Sequence, residues 1–233
     1  MARFVRYELR TTGIAAARAF YEAVLGAPCA DVSPLPEAVL ARGGRPHWLG
    51  HVGVEDVEQT ARAWVDRGAA RLGPTRSTPS GGDVAILRDA GGAIVALTSA
   101  LDARPANALE VVGHSLNTAD LARAVDVYTS LFGWSITGRV DLGASGVFEA
   151  FAWEPGGDDV GWMADVATRP GVHAHWLFHH RVASLDAAIA TVRAAGGLAL
   201  EPVTLPGGDR FAACDDPQGA AFALVEAHAP PPR

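Results

Sequence analysis

Two stretches of this 233-residue chain decide its fold: "HWLGHVGVEDVEQTARAWVDRGAARLGP" at 47–74 and "HWLFHHRVASLDAAIATVRAAGGLALEP" at 175–202. They align without a gap at an offset of 128 positions. A match of this length within one chain is typical of a duplicated structural unit. The sequence therefore predicts a tandem repeat.

The similarity extends in both directions from this central match. Upstream, "ELRTTGIAAARAFYEAVLG" (8–26) parallels "SLNTADLARAVDVYTSLFG" (115–133), and downstream "DAGGAIVAL" (89–97) parallels "DPQGAAFAL" (216–224). The predicted organisation is a first domain at 1–100, a linker at 101–108, a second domain at 109–228 and a proline-rich tail at 229–233.

Each half contains two amphipathic helices followed by short strands. Apolar residues recur at the spacing of one helical face from Ile14, Val57, Leu121 and Leu185 onward. These helices are predicted to end at four glycines, which suit left-handed C-terminal caps: Gly26, Gly68, Gly133 and Gly196. The alternation of helices with several short strands predicts an α+β fold.

Composition excludes several classes of function. The nineteen basic residues are all arginine, so chemistry that needs a lysine Schiff base or a phosphate-loop lysine is ruled out. A formal charge of -7 argues against nucleic acid and suits a neutral or cationic ligand. The sequence shows neither a long apolar run nor a secretory leader, which predicts a cytoplasmic protein without a membrane partner. Cys29 and Cys214 suggest neither a disulfide framework nor a zinc site.

With these motifs in place, the chain resembles the vicinal oxygen chelate superfamily, which includes glyoxalase I, extradiol dioxygenases and the fosfomycin- and bleomycin-resistance proteins. The resemblance covers nearly the whole chain and is specific for fold rather than activity. It implies two tandem domains, each built from two βαβββ units that form an incompletely closed, eight-stranded cup with the helices outside. In the first half, the short segment 29–46 leaves little chain for three strands, so that cup is expected to be truncated.

Strand alternation then predicts which side chains face the cups. In the first half these are Arg6, Glu8 and Arg10 on the opening strand and His47 and His51 on the middle strand. In the second half they are Ser115, Asn117, His175 and His179, with Trp153 as an aromatic candidate for the same ligand pocket. His114 and His180 are predicted to face the helix layer, in structural roles.

The resemblance also implies where a metal ion would bind. Metal-dependent relatives place ligands on the opening strand and a carboxylate on the last strand of a unit. The aligned positions here are Arg6 and Gly113, then Ala96 and Ala223, none of which is a typical metal ligand. We therefore expect no metal cofactor. If zinc, nickel, iron or manganese were bound, the candidate ligands are His173, His175, His179 and Glu226.

Three interpretations of function stay open. The first is metal-independent binding of a small molecule in one or both cups, as a monomer or a homodimer. The second is an enzyme, either a metal-dependent glyoxalase or dioxygenase type, or a metal-free lyase or isomerase with His175 or His179 as the base. The third is a scaffold whose cups are filled by bulky side chains such as Trp134, Trp153, Trp162 and Met163.

Overall fold

The computed structural model describes residues 1–29, 31–78, 81–101, 109–143, 146–169 and 171–228. Apart from Leu101, the predicted linker at 101–108 lies outside these ranges, and so does the tail at 229–233.

The first half contains three helices and seven strands. In chain order they are β1 (Phe4–Thr11), α1 (Ile14–Leu25), β2 (Val32–Pro34), α2 (Glu37–Leu40), β3 (His47–Gly53), α3 (Val57–Val65), β4 (Ala70–Arg71), β5 (Arg76–Ser77), β6 (Asp83–Arg88) and β7 (Ile94–Thr98) among the residues described.

The second half contains two helices and nine strands. These are β8 (Gly113–Thr118), α4 (Leu121–Phe132), β9 (Ser135–Asp141), β10 (Val147–Ala152), β11 (Gly161–Asp165), β12 (His175–Arg181), α5 (Leu185–Ala194), β13 (Leu198–Ala199), β14 (Val203–Thr204), β15 (Arg210–Asp215) and β16 (Ala221–Glu226), again within the described ranges.

Each half of the sequence forms one open sheet. The first has the order β2-β1-β3-β7-β6-β4 with β5 also on β6, and the second has the order β13-β15-β16-β12-β8-β11-β10-β9 with β14 also on β15. In each half, the first and last strands of the second βαβββ unit pair in parallel: β3 with β7, and β12 with β16. Neither sheet closes into a barrel, so the predicted α+β architecture with two open sheets is confirmed.

The strand counts depart from the predicted eight per half, since the described residues give seven and nine. In the first sheet, the described residues of segment 29–46 supply only β2 and the short helix α2, as the length of the segment predicted. In both halves the strand after the second long helix is broken in two. The two fragments β4 and β5 each pair with β6, and the two fragments β13 and β14 each pair with β15.

Local sequence signals set the ends of the long helices. Asp56, Asp120 and Ser184 each accept a hydrogen bond from a backbone N–H in the first turn of the helix that follows. Gly26 and Gly133 are the left-handed C-caps of α1 and α4, at φ 67° and 76°. The predicted helix boundaries are therefore confirmed to within a few residues.

Contacts between Cα atoms divide the chain into two compact units, each drawn from both halves of the sequence. One comprises Met1–Tyr7, Leu49–Arg104 and His114–Trp176, and the other comprises Glu8–Trp48, Pro105–Gly113 and Leu177–Arg233. Helices α3 and α4 pack together in the former, and α1 and α5 pack together in the latter.

Each unit has the same buried hydrogen-bonded trio in its core. In one, Trp176 Nε1 donates to Tyr128 Oη at 3.1 Å, and Tyr128 donates to Asp89 at 3.0 Å. In the other, Trp48 Nε1 donates to Tyr21 Oη at 2.9 Å, and Tyr21 donates to Asp216 at 3.3 Å.

The two trios occupy equivalent repeat positions, and in both the aspartate comes from the opposite half of the sequence. Burial raises the pKa of both aspartates above the usual range. The trios also show that Trp48 and Trp176 point toward the helices, as strand alternation predicted.

Candidate functional site

Two polar clusters occupy equivalent positions in the two repeats. The charged cluster consists of Glu8, Arg10, Ser33 and His47. The neutral cluster consists of Ser115, Asn117 and His175. The repeat aligns Glu8 with Ser115, Arg10 with Asn117 and His47 with His175, so the same strand positions carry different chemistry in the two halves.

The charged cluster is built on the pairing of β1 with β2, which places Arg10 opposite Ser33. Arg10 Nη2 donates to Glu8 Oε2 at 3.2 Å. Ser33 Oγ donates to the other oxygen of Glu8. The Glu8 side chain is only 7% exposed, against 22% for Arg10, so this ion pair is largely withdrawn from water.

His47 completes the charged cluster at the start of β3. Its Nδ1 lies 2.8 Å from the Arg45 carbonyl oxygen, so Nδ1 must carry the proton and Nε2 is left as an acceptor. Burial lowers the pKa of His47, and the positive charge of Arg10 lowers it further. The imidazole is therefore neutral near pH 7, and the whole cluster has no net charge.

The neutral cluster joins β8 to the first residue of β12. Asn117 Nδ2 donates to His175 Nε2 at 3.4 Å, while His175 Nδ1 donates to the His173 carbonyl oxygen at 2.8 Å. The His173 ring packs against that of His175 with centroids 4.6 Å apart. Burial lowers the pKa of His175 to about 4, so this histidine too is neutral near pH 7.

Ser115 shares the face of β8 with Asn117, because alternate residues of a strand point the same way. It is 3% exposed and lies opposite Trp162 in the pairing of β8 with β11. Leu116, on the other face of β8, pairs with the fully buried Met163. Trp162 and Met163, both considered as cup fillers, therefore lie on opposite faces of the sheet.

His179 is 2% exposed and packs edge-on against Phe211, with ring centroids 5.0 Å apart. Gly113 makes room for it, since a Cβ at that position would lie 2.5 Å from His179 Nδ1. Gly113 is also the position aligned with an opening-strand ligand of metal-dependent relatives. In this chain the imidazole fills the space that such a ligand would need.

The last strand of each half, β7 or β16, carries alanine at the position where metal-dependent relatives have a carboxylate. His179 pairs with Ala223 across β12 and β16, and His51, which is 1% exposed, pairs with Ala96 across β3 and β7. Each buried histidine therefore has a methyl group, and no carboxylate, at the facing position of the adjacent strand.

Glu226 lies on the helix-facing side of β16, away from the face that carries Ala223. Its carboxylate accepts the Leu185 backbone N–H at 2.5 Å and lies 3.6 Å from Arg210 Nη1. It therefore caps the first turn of α5 and carries out a structural task.

The residues of the described ranges do not fit a metal ion. They contain no group of three or more His, Cys, Asp or Glu side chains with the spacing of a metal site. His173 and His175 contact each other, but His175 Nδ1 is engaged by a carbonyl oxygen and Nε2 by Asn117. His179 is four residues further along the strand, roughly 13 Å away at about 3.3 Å per residue.

The remaining predicted residues have different surroundings. Arg6 is half-buried on β1. Trp153 packs into an aromatic group with Phe4, His114 and Trp134, at centroid distances of 5.9, 4.9 and 4.7 Å. That group also contains Trp176 on the helix-facing side, so Trp153 contributes to the core of its unit.

His114 and His180 have the structural roles that strand alternation predicted. His114 Nε2 lies 2.7 Å from Tyr7 Oη and Nδ1 lies 2.9 Å from the Val160 carbonyl oxygen. His180 Nδ1 donates to the Glu110 carbonyl oxygen at 3.0 Å, and its ring packs near Trp48 and Phe222.

Ser33 is the cluster member that the sequence did not reveal. It lies in segment 29–46, whose composition gave no strand signal, and its contact with Glu8 follows from the parallel pairing of β2 with β1. Neither cysteine adds chemistry to the clusters, since burial raises the pKa of both Cys29 and Cys214 to about 12.

Comparison with known proteins places this geometry in a family. A family model described as "Glyoxalase/Bleomycin resistance protein/Dioxygenase superfamily" matches residues 109–224. Residues 109–224, just under half of the chain, are therefore similar to this superfamily. The match covers the second half, which contains the neutral cluster, and the internal repeat extends the same fold to the first half.

Relatives of similar length occur in mycobacteria. CFP32 of Mycobacterium bovis and of Mycobacterium tuberculosis, provisionally named a glyoxylase, is 27% identical to this chain over 94% of it and 92% of the relative. The anthracycline biosynthesis protein DnrV of Streptomyces peucetius is 33% identical, over 47% of this chain and 44% of the relative.

Solved structures share the fold at low sequence identity. The 2,3-dioxygenase LapB from Pseudomonas sp. KL28 superposes with a TM-score of 0.61 at 10% identity, over 99% of this chain and 93% of that one. The Mn(II)-bound glyoxalase from Novosphingobium aromaticivorans gives 0.62 at 13% identity, over 97% and 83%. These likenesses establish the architecture alone. Within the described residues, no helix is long and apolar enough to cross a membrane.

Proposed function

We propose that this protein binds an uncharged small molecule at its polar clusters without the help of a metal ion. The observation that carries the proposal is that both clusters are polar, largely buried and electrically neutral as groups. In the charged cluster Glu8 offsets Arg10. In the neutral cluster His175 is unprotonated near pH 7.

Electrostatics favours a ligand without net charge. A charged ligand would lose its hydration on entering such a cluster and would find no opposite net charge to compensate for that loss. A neutral ligand can instead exchange hydrogen bonds to water for hydrogen bonds to amide, imidazole and guanidinium groups. The formal net charge of the chain, -7, also disfavours anionic ligands.

Metal independence is supported by the positions that chelating relatives use. Alanine stands beside His51 and His179, Gly113 accommodates the His179 ring, and the Glu226 carboxylate caps α5. The geometry gives less support to an enzyme that uses His175 as a base. A histidine whose pKa is lowered to about 4 accepts a proton weakly near neutral pH.

The names of the Streptomyces relatives suggest a first probe. Proteins named for anthracycline biosynthesis are 33% identical over about half of this chain. An uncharged anthracycline aglycone, which is fluorescent and carries carbonyl and hydroxyl groups, is therefore a suitable ligand for a binding titration.

The test compares the wild-type chain with Asn117→Ala and His175→Ala by fluorescence anisotropy of this aglycone. Each variant removes about one hydrogen bond, worth about 1 kcal/mol, so binding should weaken five- to tenfold. His228→Ala removes an exposed histidine and serves as the matched control. Saturable binding that resists EDTA and weakens only in the first two variants is expected; absence of binding, or equal effects of all three substitutions, would contradict the proposal.

A further inference from the structure

The guanidinium group of Arg10 has one N–H donor that makes no hydrogen bond to the residues that the structure describes. Arg10 Nε is buried, yet it has no hydrogen-bond partner within the described ranges. The same side chain donates through Nη2 to Glu8 at 3.2 Å. A buried N–H without an acceptor is costly, because its hydration is lost and nothing replaces it.

The surroundings of Arg10 explain why this donor is not satisfied internally. The Glu8 carboxylate accepts from Arg10 Nη2 through one oxygen and from Ser33 Oγ through the other, and neither oxygen accepts from Arg10 Nε. Arg10 lies in the middle of the β2-β1-β3 sheet order, with its backbone paired to Ser33, so the side chain starts from a fixed position. The Nε–H therefore stays near the Glu8 and His47 side chains.

His47 offers the complementary group. With Nδ1 donating to the Arg45 carbonyl oxygen, its Nε2 presents a lone pair. His47 lies on β3, which is adjacent to β1 in the sheet, and the equivalent pair in the second half, Asn117 and His175, is in contact at 3.4 Å. The charged cluster thus combines a free donor and a nearby acceptor on neighbouring strands.

We propose that the charged cluster is a binding site for an uncharged carbonyl compound, with Arg10 Nε–H donating to the carbonyl oxygen and His47 Nε2 accepting an adjacent N–H or O–H. Primary amides and hydroxy-substituted ketones or quinones have this arrangement. The inference deepens the proposed function, on which it rests, by naming the ligand class and the residues of the first half that recognise it.

A carboxylate would fit this site less well. The Arg10 charge is already paired with Glu8, so a second carboxylate would meet the repulsion of Glu8 at short range in a poorly hydrated place. A neutral carbonyl oxygen accepts the same Nε–H without that repulsion. The site should therefore discriminate between an amide and the acid of the same shape.

Benzamide and benzoate form a matched pair of probes for this discrimination. The full chain, labelled with ¹⁵N, is titrated with each while the arginine Nε–H resonances are followed by NMR. Arg10→Lys keeps a positive charge beside Glu8 but lacks the Nε–H. Arg42→Lys is the control, because Arg42 is exposed and its Nε already donates to the Ala38 carbonyl oxygen at 2.8 Å.

Benzamide is expected to shift the Arg10 Nε–H resonance saturably and to bind at least tenfold more tightly than benzoate. Arg10→Lys should weaken benzamide binding about tenfold, and Arg42→Lys should leave it unchanged. Equal or tighter binding of benzoate, or an Arg10 resonance that neither probe shifts, would overturn the inference.

The Asn117→Ala variant separates this inference from the proposed function. If the anthracycline aglycone binds in a manner that depends on Asn117 while benzamide leaves Arg10 unaffected, the inference fails and the proposed function stands. If neither the aglycone nor benzamide binds at either cluster, both fail.

Discussion

Acid should destabilise this protein strongly, because two fully enclosed histidines are held in the neutral form. His114 is 5% exposed and His180 is 2% exposed. Burial lowers the pKa of each from 6.5 to about 4. In the unfolded chain both would take up a proton at the ordinary pKa, so lowering the pH favours unfolding.

The size of the effect follows from these pKa values. A shift of one pKa unit corresponds to about 1.4 kcal/mol, so each histidine contributes about 3 kcal/mol that is fully present above pH 6.5 and lost as the pH falls to about 4. At pH 5 the loss is about 2 kcal/mol for each, or about 4 kcal/mol together, and His175, whose pKa is also lowered to about 4, adds about 2 kcal/mol more. That is a large share of the 5–15 kcal/mol typical of a folded protein.

Two buried carboxylates act in the opposite direction. Burial raises the pKa of Asp89 and Asp216, so protonating them favours the folded state as the pH falls through their folded pKa values. This compensation begins at the raised folded pKa of each aspartate and is complete below the unfolded value near pH 4, so it offsets part of the loss caused by the histidines.

Urea unfolding followed by tryptophan fluorescence at pH 7.5, 6.5, 5.5 and 5.0 measures this dependence, and NMR titration of the histidine ring protons gives the individual pKa values. His180→Asn should remove about a third of the loss between pH 7.5 and 5.0, because His114 and His175 contribute the rest. A change of less than 1 kcal/mol over this range, or ring titrations near pH 6.5 for both residues, would refute the reasoning.

Three further changes test other parts of the structure. Gly113→Ala should lower the free energy of unfolding by about 1–3 kcal/mol, since the new methyl group meets the His179 ring; stability equal to wild type in urea titrations would show that the ring can move aside. Tyr128→Phe should cost about 2–4 kcal/mol in the same assay, because it leaves a buried tryptophan N–H and Asp89 without their shared hydroxyl; an unchanged unfolding midpoint would disprove the trio's role. Glu226→Gln should cost about 1 kcal/mol by weakening the start of α5 while leaving the metal content of the purified protein unchanged; a loss of bound metal would restore Glu226 as a ligand.

Much of the fold could be predicted because its signals are local and repeated. The gapless match at an offset of 128 indicated the duplication, and apolar periodicity indicated the four long helices. The predicted glycine caps are found for α1 and α4, whereas the C-caps of α3 and α5 are Asp66 and Ala195. Strand alternation correctly predicted that Trp48 and Trp176 face the helices, on the side of their strands opposite to His47 and His175. The interruption of one strand into β13 and β14 was not predicted, because two-residue strands carry no periodic signal.

The candidate site was predictable only in part, since its contacts depend on strand pairing. Glu8, Arg10 and His47 could be placed on one face, but the role of Ser33 depends on the parallel pairing of β2 with β1. Trp153 was expected to line a ligand pocket because it is aromatic, yet its ring packs against Phe4 and His114. Which aromatic side chains meet in a core is decided by distant segments, and no local pattern encodes that choice.

The most direct test of the central claim is to measure metal content and ligand affinity on the same preparation. The chain is purified without chelator, its metal content is determined by plasma mass spectrometry, and aglycone binding is titrated before and after dialysis against EDTA. The account predicts well under one metal ion per chain and an affinity that the chelator leaves unchanged. One equivalent of nickel, zinc, iron or manganese, whose removal abolishes binding and whose return restores it, would contradict the account.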